Sequence, residues 1–249
     1  MQLNSDEKID QLSANGFRLI QKTDGTAFAA DTVLLVNFCD IPEEQLKIAD
    51  LGSGSGAISF LLKEKCENFN ITGFELLPEM HNLSIRNLSL NSNPPGIEFL
   101  CLDVREIPIS YPPDSFDMVV SNPPYYKINR GKISPKPFRA HARHEISGTL
   151  GDFIQAATHL LKDQGKGIFV LPADRFQEAT ELLEISGLKN RKFQYVLPRE
   201  GKKAHLILLE TVKSRIPVVS QKLPDLLIRK NSGEFSETML EIYSKRVIP

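Results

Sequence analysis

The 249-residue sequence predicts an α/β protein with a mostly parallel, doubly wound sheet. Short apolar segments of strand length alternate along the chain with segments of helical length, as in sheets that carry helices on both faces. One predicted strand ends in a glycine-rich turn, residues 52–56, and another ends in Pro123 and Pro124. In open α/β sheets ligands bind beyond the carboxyl ends of strands, so these two turns are the first candidates for a functional site.

The predicted elements follow one another in a regular order. The strands are apolar runs bounded by turn residues, at 47–52, 71–75, 97–102, 116–120, 167–171, 193–197 and 206–211. The helices, several with apolar residues at i, i+3 and i+4, cover 29–36, 57–65, 78–91, 150–161, 174–185 and 234–245. We expect an N-terminal helical segment (1–46), a central domain (47–212) and a C-terminal extension (213–249). The amphipathic last helix would dock this extension on the central domain.

Composition places the chain among ordinary globular proteins. It is 41% hydrophobic and 24% charged, and it shows neither a signal peptide nor a membrane-spanning run, so we expect a cytoplasmic protein. Cys39, Cys66 and Cys101 are odd in number and far apart, which predicts reduced core residues rather than disulfides or a Cys-x-x-Cys metal site. The net charge of −1 gives no global sign of nucleic-acid binding. The sequence makes no prediction of oligomeric state.

The proline turn forms a stiff platform at the end of a strand. Pro123 and Pro124 have no backbone N–H, and Asn122 is restricted because it precedes proline. The platform offers the Asn122 amide, carbonyls without a ladder partner, and the ring of Tyr125. These groups suit a planar polar substrate, whereas a purely structural turn with a packed tyrosine is the alternative.

The glycine turn lies between a strand and a helix. Gly52, Gly54 and Gly56, with Ser53 between them, permit a tight turn and close approach of a ligand to the helix N-terminus. The spacing is Gly-x-Gly-x-Gly rather than the dinucleotide Gly-x-Gly-x-x-Gly, and Asp50 precedes it. The pattern therefore favours a ligand other than a nicotinamide dinucleotide, and a plain strand-to-helix turn is the alternative.

Carboxylates end the next two predicted strands. Glu75 stands about twenty residues after the glycines, where a carboxylate reaches a ribose hydroxyl pair. Asp103 ends the third strand and is placed to accept a hydrogen bond from an adenine amino group. Each alone is more often a solvated charge, but their order along consecutive strands, with Asn122 after them, indicates one site.

These motifs together resemble the class I S-adenosylmethionine-dependent methyltransferases, and among them the amino-methyltransferases with Asn-Pro-Pro-Tyr, here Asn122–Tyr125. The resemblance implies a seven-stranded Rossmann-like sheet whose last strand is antiparallel, and it makes residues 47–212 the methyltransferase domain. It implies that S-adenosylmethionine is bound by Asp50, Gly52, Ser53, Gly54, Gly56, Glu75, Asp103 and Asn122. Glu75 would bind the ribose and Asp103 would lie near the adenine.

The resemblance extends beyond the cofactor motifs. Four outlying segments are similar to the tRNA1(Val) adenine-37 N6-methyltransferase family: Phe28–Leu35, Ala142–Glu145, Ile228–Asn231 and Phe235–Glu237. This resemblance implies that the substrate is an adenine in RNA and that tRNA is the RNA expected. It also places Phe28 and Asp31 near the cofactor, although a core phenylalanine and a helix cap explain these two residues as well.

The residue types of the platform fit methyl transfer to an exocyclic amine. Such an amine is a poor nucleophile because its lone pair is delocalised into the ring. If the Asn122 side-chain oxygen and the Pro123 carbonyl each accept one amino hydrogen, the nitrogen can pyramidalise and direct its lone pair at the methyl group. Tyr125 would stack on the base. No separate strong base is required, because the proton becomes acidic once the nitrogen is alkylated.

Basic residues mark two candidate RNA-binding segments. Residues 126–144 contain no acidic residue and six basic ones: Lys127, Arg130, Lys132, Lys136, Arg139 and Arg143. Phosphate contacts by such side chains would give salt-dependent RNA binding. A second cluster, which is as compatible with a solvated surface, contains Lys189, Arg191, Lys192, Arg199, Lys202 and Lys203. His141 and His144 lack companion ligands at metal-binding spacing, so we expect no metal.

The sequence thus predicts an N-methyltransferase that acts on the adenine amino group in RNA, with Asn122, Pro123 and Tyr125 as catalytic residues. The alternatives are an amino-methyltransferase acting on a protein glutamine or an rRNA guanine, and an RNA-binding protein without turnover. A nicotinamide oxidoreductase is disfavoured by the glycine spacing and by the absence of an evident proton donor.

Overall fold

The computed structural model describes residues 3–13, 16–23, 30–41, 44–124 and 148–244. Its strands are β1 (Glu7–Gln11), β2 (Arg18–Lys22), β3 (Lys47–Leu51), β4 (Asn70–Glu75), β5 (Ile97–Cys101), β6 (Phe116–Ser121), β7 (Leu161–Pro172), β8 (Leu188–Arg199), β9 (Leu206–Lys213), β10 (Gln221–Lys222) and β11 (Leu226–Arg229). Its α-helices are α1 (Ala30–Phe38), α2 (Ala57–Lys65), α3 (Pro78–Leu90), α4 (Ile107–Ser110), α5 (Leu150–Leu160), α6 (Phe176–Ser186) and α7 (Glu237–Ser244).

The main sheet has the order β10-β8-β9-β7-β6-β3-β4-β5, and β11 also pairs with β8. The strands run parallel except for β9, which lies antiparallel between β7 and β8. This confirms the predicted mostly parallel sheet with its last main strand antiparallel. The structure adds two short strands that the sequence did not predict, β10 and β11, along the outer edge of β8.

The order of strands reverses at β3, which pairs with β4 on one side and β6 on the other. The chain runs outward through β4 and β5 and then returns to start β6 beside β3. Leu51 and Ser121 are register partners across the β3–β6 pair. The residues that follow them, the glycine turn and Asn122, therefore meet at one edge of the sheet, the switch point where open α/β sheets bind ligands.

Both faces of the sheet are buried, which explains why its strands are apolar runs rather than alternating ones. In β6, Met118 and Val120 belong to the core under α1, α2 and α7, whereas Val119 belongs to the core under α4, α5 and α6. Successive side chains of a strand point to opposite faces, so a single short strand contributes to both cores. The sheet that carries the two turns is therefore held on both sides.

The N-terminal segment differs from its prediction. Residues 1–46 were expected to be helical, but within the described residues they contain the antiparallel hairpin β1–β2 as well as α1. The hairpin packs on α3, where Arg86 and Glu7 form an ion pair at 2.7 Å. The Arg86 hydrogen bond lowers the pKa of the buried Glu7 carboxyl to about 2. The hairpin is stabilised by this contact with a helix, which lies far from it in the sequence.

Two amide side chains form hydrogen bonds with the backbone of β2, as a neighbouring strand would. They belong to Asn87 in α3 and to Asn91, the C-cap of this helix. The Ile20 N–H donates to Asn87 Oδ1 at 2.7 Å, and the Arg18 N–H donates to Asn91 Oδ1 at 2.9 Å. Each amide nitrogen donates in return, Asn91 Nδ2 to the Arg18 carbonyl at 2.7 Å and Asn87 Nδ2 to the Ile20 carbonyl at 3.3 Å. Asn87 Nδ2 also donates to the carbonyl of Ser55 in the glycine turn at 2.9 Å. Asn87 thus connects the hairpin to the candidate cofactor loop.

The C-terminal extension adds β10, β11 and α7 to the outer edge of the sheet. Its helix buries Met239, Ile242 and Tyr243 in the same core as α1 and α2. The division at residues 212 and 213 remains our prediction, and β9 ends beside it, at Lys213.

The cysteines are free, but they do not share one environment. Cys39 is buried, and burial raises the pKa of its thiol to about 12. Cys66 is half-buried, and Cys101 is exposed at the end of β5. The expectation that all three are core residues is therefore wrong for Cys101. Among the described residues, no helix combines the length and apolar character that a bilayer crossing requires.

Candidate active site

The glycine turn adopts backbone conformations that other residues rarely tolerate. Gly52, Gly54 and Gly56 have φ angles of 72°, 57° and 90°. The N–H groups of Gly52 and Ser53 both donate to the Phe74 carbonyl, at 2.9 and 3.0 Å, which fixes the turn on β4. At Gly56 a Cβ atom would lie only 2.6 Å from a ring carbon of Phe99. The turn thus depends on glycine through its dihedral angles and, at Gly56, through lack of space as well.

Glu75 is held against this turn at the end of β4. Its carboxylate accepts hydrogen bonds from the Gly54 N–H and the Leu77 N–H, both at 2.8 Å. Burial raises the pKa of Glu75, and these backbone donors oppose that rise. Because each carboxylate oxygen has two lone pairs, the group can still accept from a pair of ligand hydroxyls. This geometry fits the ribose-binding position that the sequence predicts.

Asp50 is a buried carboxyl group with one satisfied oxygen. Ser59 Oγ donates to Oδ2 at 2.7 Å, whereas Oδ1 is buried and accepts no hydrogen bond from the described residues. Burial raises the pKa of Asp50 to about 7, with a smaller contribution from the nearby Glu75 charge. A buried acceptor without a partner is costly in a folded protein and indicates a ligand that donates to it. Ser59, in the first turn of α2, was not predicted.

Asp103 lies just beyond β5 and is already paired. Arg105 donates from Nε to both carboxylate oxygens, at 2.9 and 3.0 Å, and its backbone N–H donates to Oδ1 at 2.9 Å. The Arg105 hydrogen bonds lower the pKa of Asp103, so the carboxylate stays charged. The sequence analysis did not predict Arg105, although the Asp-x-Arg spacing at a strand end was visible.

Asn122 follows β6 at the same edge. Ser121 Oγ donates to the Leu51 carbonyl at 2.8 Å, which joins the ends of β6 and β3. The side-chain oxygen of Asn122 is buried and accepts no hydrogen bond within the part of the chain that the structure describes. Pro123, which comes next, is buried as well. A buried amide oxygen, without a partner among these residues, thus lies at the switch point beside the glycine turn.

Several predicted site residues lie outside the described residues, so their positions stay predictions. They are Phe28, Tyr125, Lys127, Arg130, Lys132, Lys136, Arg139, His141, Arg143 and His144. Asp31 is described in the first turn of α1, where its carboxylate accepts from the Thr32 N–H at 3.0 Å. Among the described residues there is no group of three or more His, Cys, Asp or Glu side chains that could hold a metal ion.

The structure divides the second predicted basic cluster into two parts. Lys189, Arg191 and Lys192 lie at the start of β8, and Arg199 ends this 12-residue strand. At about 3.3 Å per residue, the two ends are about 36 Å apart. Arg191 and Lys192 also pair with the buried Glu210, Lys192 at 3.3 Å. The cluster is therefore not one surface, and two residues of its first part neutralise a buried charge.

The fold is that of a methyltransferase. The family model of the methyltransferase small domain matches residues 26–195, and the chain belongs to this family. It is similar to proteins named tRNA1(Val) (adenine(37)-N6)-methyltransferase from Shewanella baltica, 27% identical over 223 residues, and from Photobacterium profundum, 26% identical over 220 residues. Each match covers 88% of this chain and 90% of the relative.

Solved structures show the same fold. A predicted O-methyltransferase from Agrobacterium tumefaciens superposes with a TM-score of 0.68 at 22% identity, covering 88% of this chain and 98% of that one. A structure described as a complex of aTrm5 and tRNALeu superposes with a TM-score of 0.57 at 17% identity, over 85% of this chain and 54% of the other.

Proposed function

We propose that this protein transfers the methyl group of S-adenosylmethionine to the exocyclic amino nitrogen of an adenine in tRNA. The observation that carries the proposal is the buried side-chain oxygen of Asn122 beside the glycine turn, which accepts no hydrogen bond from the described residues. The names of the relatives support the same substrate, because those proteins are named for adenine-37 of tRNA1(Val). The proposal places the protein in the cytoplasm with its tRNA substrate.

The residues present fit S-adenosylmethionine. Gly52 is exposed and Gly54 is half-buried, so the backbone of the turn stays open to a ligand there, and the Glu75 carboxylate is already fixed against the turn for ribose hydroxyls. Asp50 Oδ1 is a buried acceptor that needs a donor from a ligand. Asp103, kept charged by Arg105, would accept from the adenine amino group. When bound, the cofactor supplies an electrophilic methyl group.

The chemistry assigned to this chain is positioning of the acceptor. Asn122 Oδ1 and the Pro123 carbonyl would each accept one hydrogen of the amino group, which frees the nitrogen lone pair for attack. Fixed acceptors of this kind cost no reorganisation during the reaction, and removing one such group typically slows an enzyme by about 10²–10³-fold. Tyr125 would stack on the base, and the basic residues of 126–144 would bind phosphates.

The first test is the Asn122→Ala substitution, with Asn37→Ala on the exposed surface of α1 as a matched control. The wild-type protein and the control should form N6-methyladenosine in unmodified tRNA. Asn122→Ala should be slower by about 10²–10³-fold. Its thermal unfolding midpoint should stay near that of the wild type, which shows that the variant is folded. An Asn122→Ala protein that methylates tRNA at the wild-type rate would refute the catalytic assignment.

The second test identifies the substrate. Mass spectrometry of nucleosides in RNA from cells with and without the gene should show the loss of one methylated adenosine in tRNA. The loss of a methylated guanosine in rRNA, or of a methylated glutamine in a protein with RNA unchanged, would instead assign the enzyme to one of those acceptors.

A further inference from the structure

A cluster of exposed cations lies at the carboxyl end of β8 and beside it. The parallel strands β8 and β11 place Arg199 and Arg229 as register partners. A tight turn follows each strand, closed by the Lys202 N–H to the Arg199 carbonyl at 3.2 Å and by the Gly233 N–H to the Lys230 carbonyl at 3.0 Å. We call the exposed set the β8–β11 basic surface: Arg199, Lys202, Lys203, Arg229 and Lys230.

The C-terminal tail holds part of this surface in a fixed geometry. The Arg229 guanidinium stacks on the ring of Phe235, 4.2 Å from its centroid, and Nη1 donates to the Gly233 carbonyl at 2.8 Å. Phe235 in turn packs against Tyr243 of α7, with ring centroids 5.3 Å apart. A stacked guanidinium keeps its remaining donors available in a rigid fork, which suits a phosphate group.

Ser236 anchors the segment that carries Phe235. Its backbone N–H donates to the Ile228 carbonyl at 3.0 Å, and its hydroxyl accepts from the Met239 N–H at 3.1 Å at the start of α7. The two tail segments that the sequence analysis singled out, 228–231 and 235–237, therefore act together to place Arg229 and Lys230 beside Arg199.

The charges of this surface are only partly compensated. Glu237 pairs with Lys230 at 3.3 Å, and Glu200 accepts from Asn231 at 3.5 Å. Within the described residues, the other four cations have no carboxylate within ion-pair distance: Arg199, Lys202, Lys203 and Arg229. Like charges on neighbouring strands repel each other, so their grouping favours an anionic partner.

The surface lies at the same edge of the sheet as Asn122. β8 is separated from β6 by β9 and β7, which makes three strand spacings. At about 4.8 Å per spacing, the two strands are about 14 Å apart. Through the register of β7 and β9, Asn122 is level with Gln194, so Arg199 lies five residues, or about 16 Å, further along β8. The combined separation of about 22 Å corresponds to about six stacked nucleotides at about 3.4 Å each. One RNA arm can therefore contact both places at once.

We propose that the β8–β11 basic surface binds phosphates of the RNA substrate and orients the tRNA toward Asn122. This inference rests on the proposed function for the nature of the substrate. It assigns RNA contacts to the C-terminal extension as well as to the segment 126–144. The proposal assigns RNA binding to Arg199, Lys202 and Lys203 but not to the cations at the start of β8.

The test compares two charge-reversed proteins. Lys202→Glu with Lys203→Glu changes the surface, and Lys47→Glu with Arg215→Glu makes the same charge change at the opposite edge of the sheet. Binding of unmodified tRNA is measured over a salt series. The surface variant should bind at least about tenfold more weakly, and its slope of log K against log salt should flatten by about 0.7–0.9 for each phosphate that it no longer binds. Both proteins should bind S-adenosylhomocysteine like the wild type.

The single substitution Arg229→Ala should weaken tRNA binding in the same direction. A surface variant with the tRNA affinity and salt slope of the control would overturn the inference, even if the wild type methylates tRNA. A wild type that binds tRNA through these residues but transfers no methyl group would instead refute the proposed function and leave this surface assigned. Polyglutamate bound through these residues as tightly as tRNA would indicate an acidic protein partner and also overturn the inference.

Discussion

At the scale of single residues, the charge of Asp50 links the site to stability. Burial raises the pKa of its carboxyl from 3.8 to about 7, so the folded protein binds a proton that the unfolded chain releases. Stability should therefore decrease as the pH rises between these two values, by at most about 1.4 kcal/mol per pH unit from this group. Above about pH 7 the contribution should level off.

Asp50→Asn should remove this dependence. In thermal unfolding without cofactor, the variant should gain stability relative to the wild type as the pH rises from about 4 to about 7. Asp163→Asn, at an exposed carboxyl group, serves as the control. A stability difference between Asp50→Asn and the wild type that does not change with pH would show that Asp50 does not retain its proton on folding.

The residues of the candidate site were predictable where a suitable residue type stands at the end of a predicted strand. Asp50, the glycines, Glu75 and Asn122 lie at or just beyond the carboxyl ends of strands, and the switch point brings those ends together. Arg105 and Ser59 were not predicted because each acts on another side chain, Asp103 or Asp50, rather than through a motif of its own. Such supporting contacts depend on side-chain geometry that sequence spacing does not determine.

At the scale of elements, the contact between the N-terminal hairpin and α3 supports the glycine turn. Asn87→Asp keeps the acceptor for the Ile20 N–H but removes the donor to the Ser55 carbonyl, and it places a buried charge near carbonyl oxygens. Loss of a buried hydrogen bond that leaves its partner unsatisfied costs about 1–3 kcal/mol, and more where a charge is involved. We expect Asn87→Asp to lower the free energy of unfolding in urea by at least this amount.

The same substitution should weaken binding of S-adenosylhomocysteine by about tenfold, equivalent to about 1.4 kcal/mol. Asn91→Asp is the matched control, because Asn91 makes the same pair of contacts to β2 at a more exposed position and does not contact the glycine turn. Equal decreases of cofactor affinity in the two variants would contradict a role for Asn87 in positioning the turn.

The hairpin was also the largest error in the prediction of elements. β2 obtains its outer hydrogen bonds from Asn87 and Asn91 side chains, about 70 residues away, so no local pattern marks it as a strand. The short strands β10 and β11 were missed for a related reason, because their register partners in β8 lie about 30 residues earlier in the chain. In contrast, α2 and α3 begin where the apolar spacing predicts, at Ala57 and Pro78.

At the scale of the whole molecule, the C-terminal extension closes the sheet. A chain that ends at Lys213 would lose β10, β11 and α7 and leave the outer edge of β8 unpaired. It would also uncover the core that Met239 and Ile242 fill, at a cost of about 1.5–3 kcal/mol for each such side chain. An open strand edge with adjacent apolar surface promotes association between copies.

We expect this truncated protein to unfold at lower temperature and to elute as aggregates in size-exclusion chromatography with light scattering. A chain that ends at Ser244 keeps all three elements and serves as the control. If the chain ending at Lys213 is monomeric and as stable as the control, the extension is an independent addition rather than part of the fold.

The strand β6, which ends at Ser121 just before Asn122, should be among the most rigid parts of the domain. β6 is buried on both faces and paired with β3 and β7, so its amide hydrogens should exchange with solvent only through global unfolding. The strand that leads to Asn122 should therefore open with a free energy equal to that of global unfolding. We therefore expect substrate binding to leave the backbone of β6 unchanged.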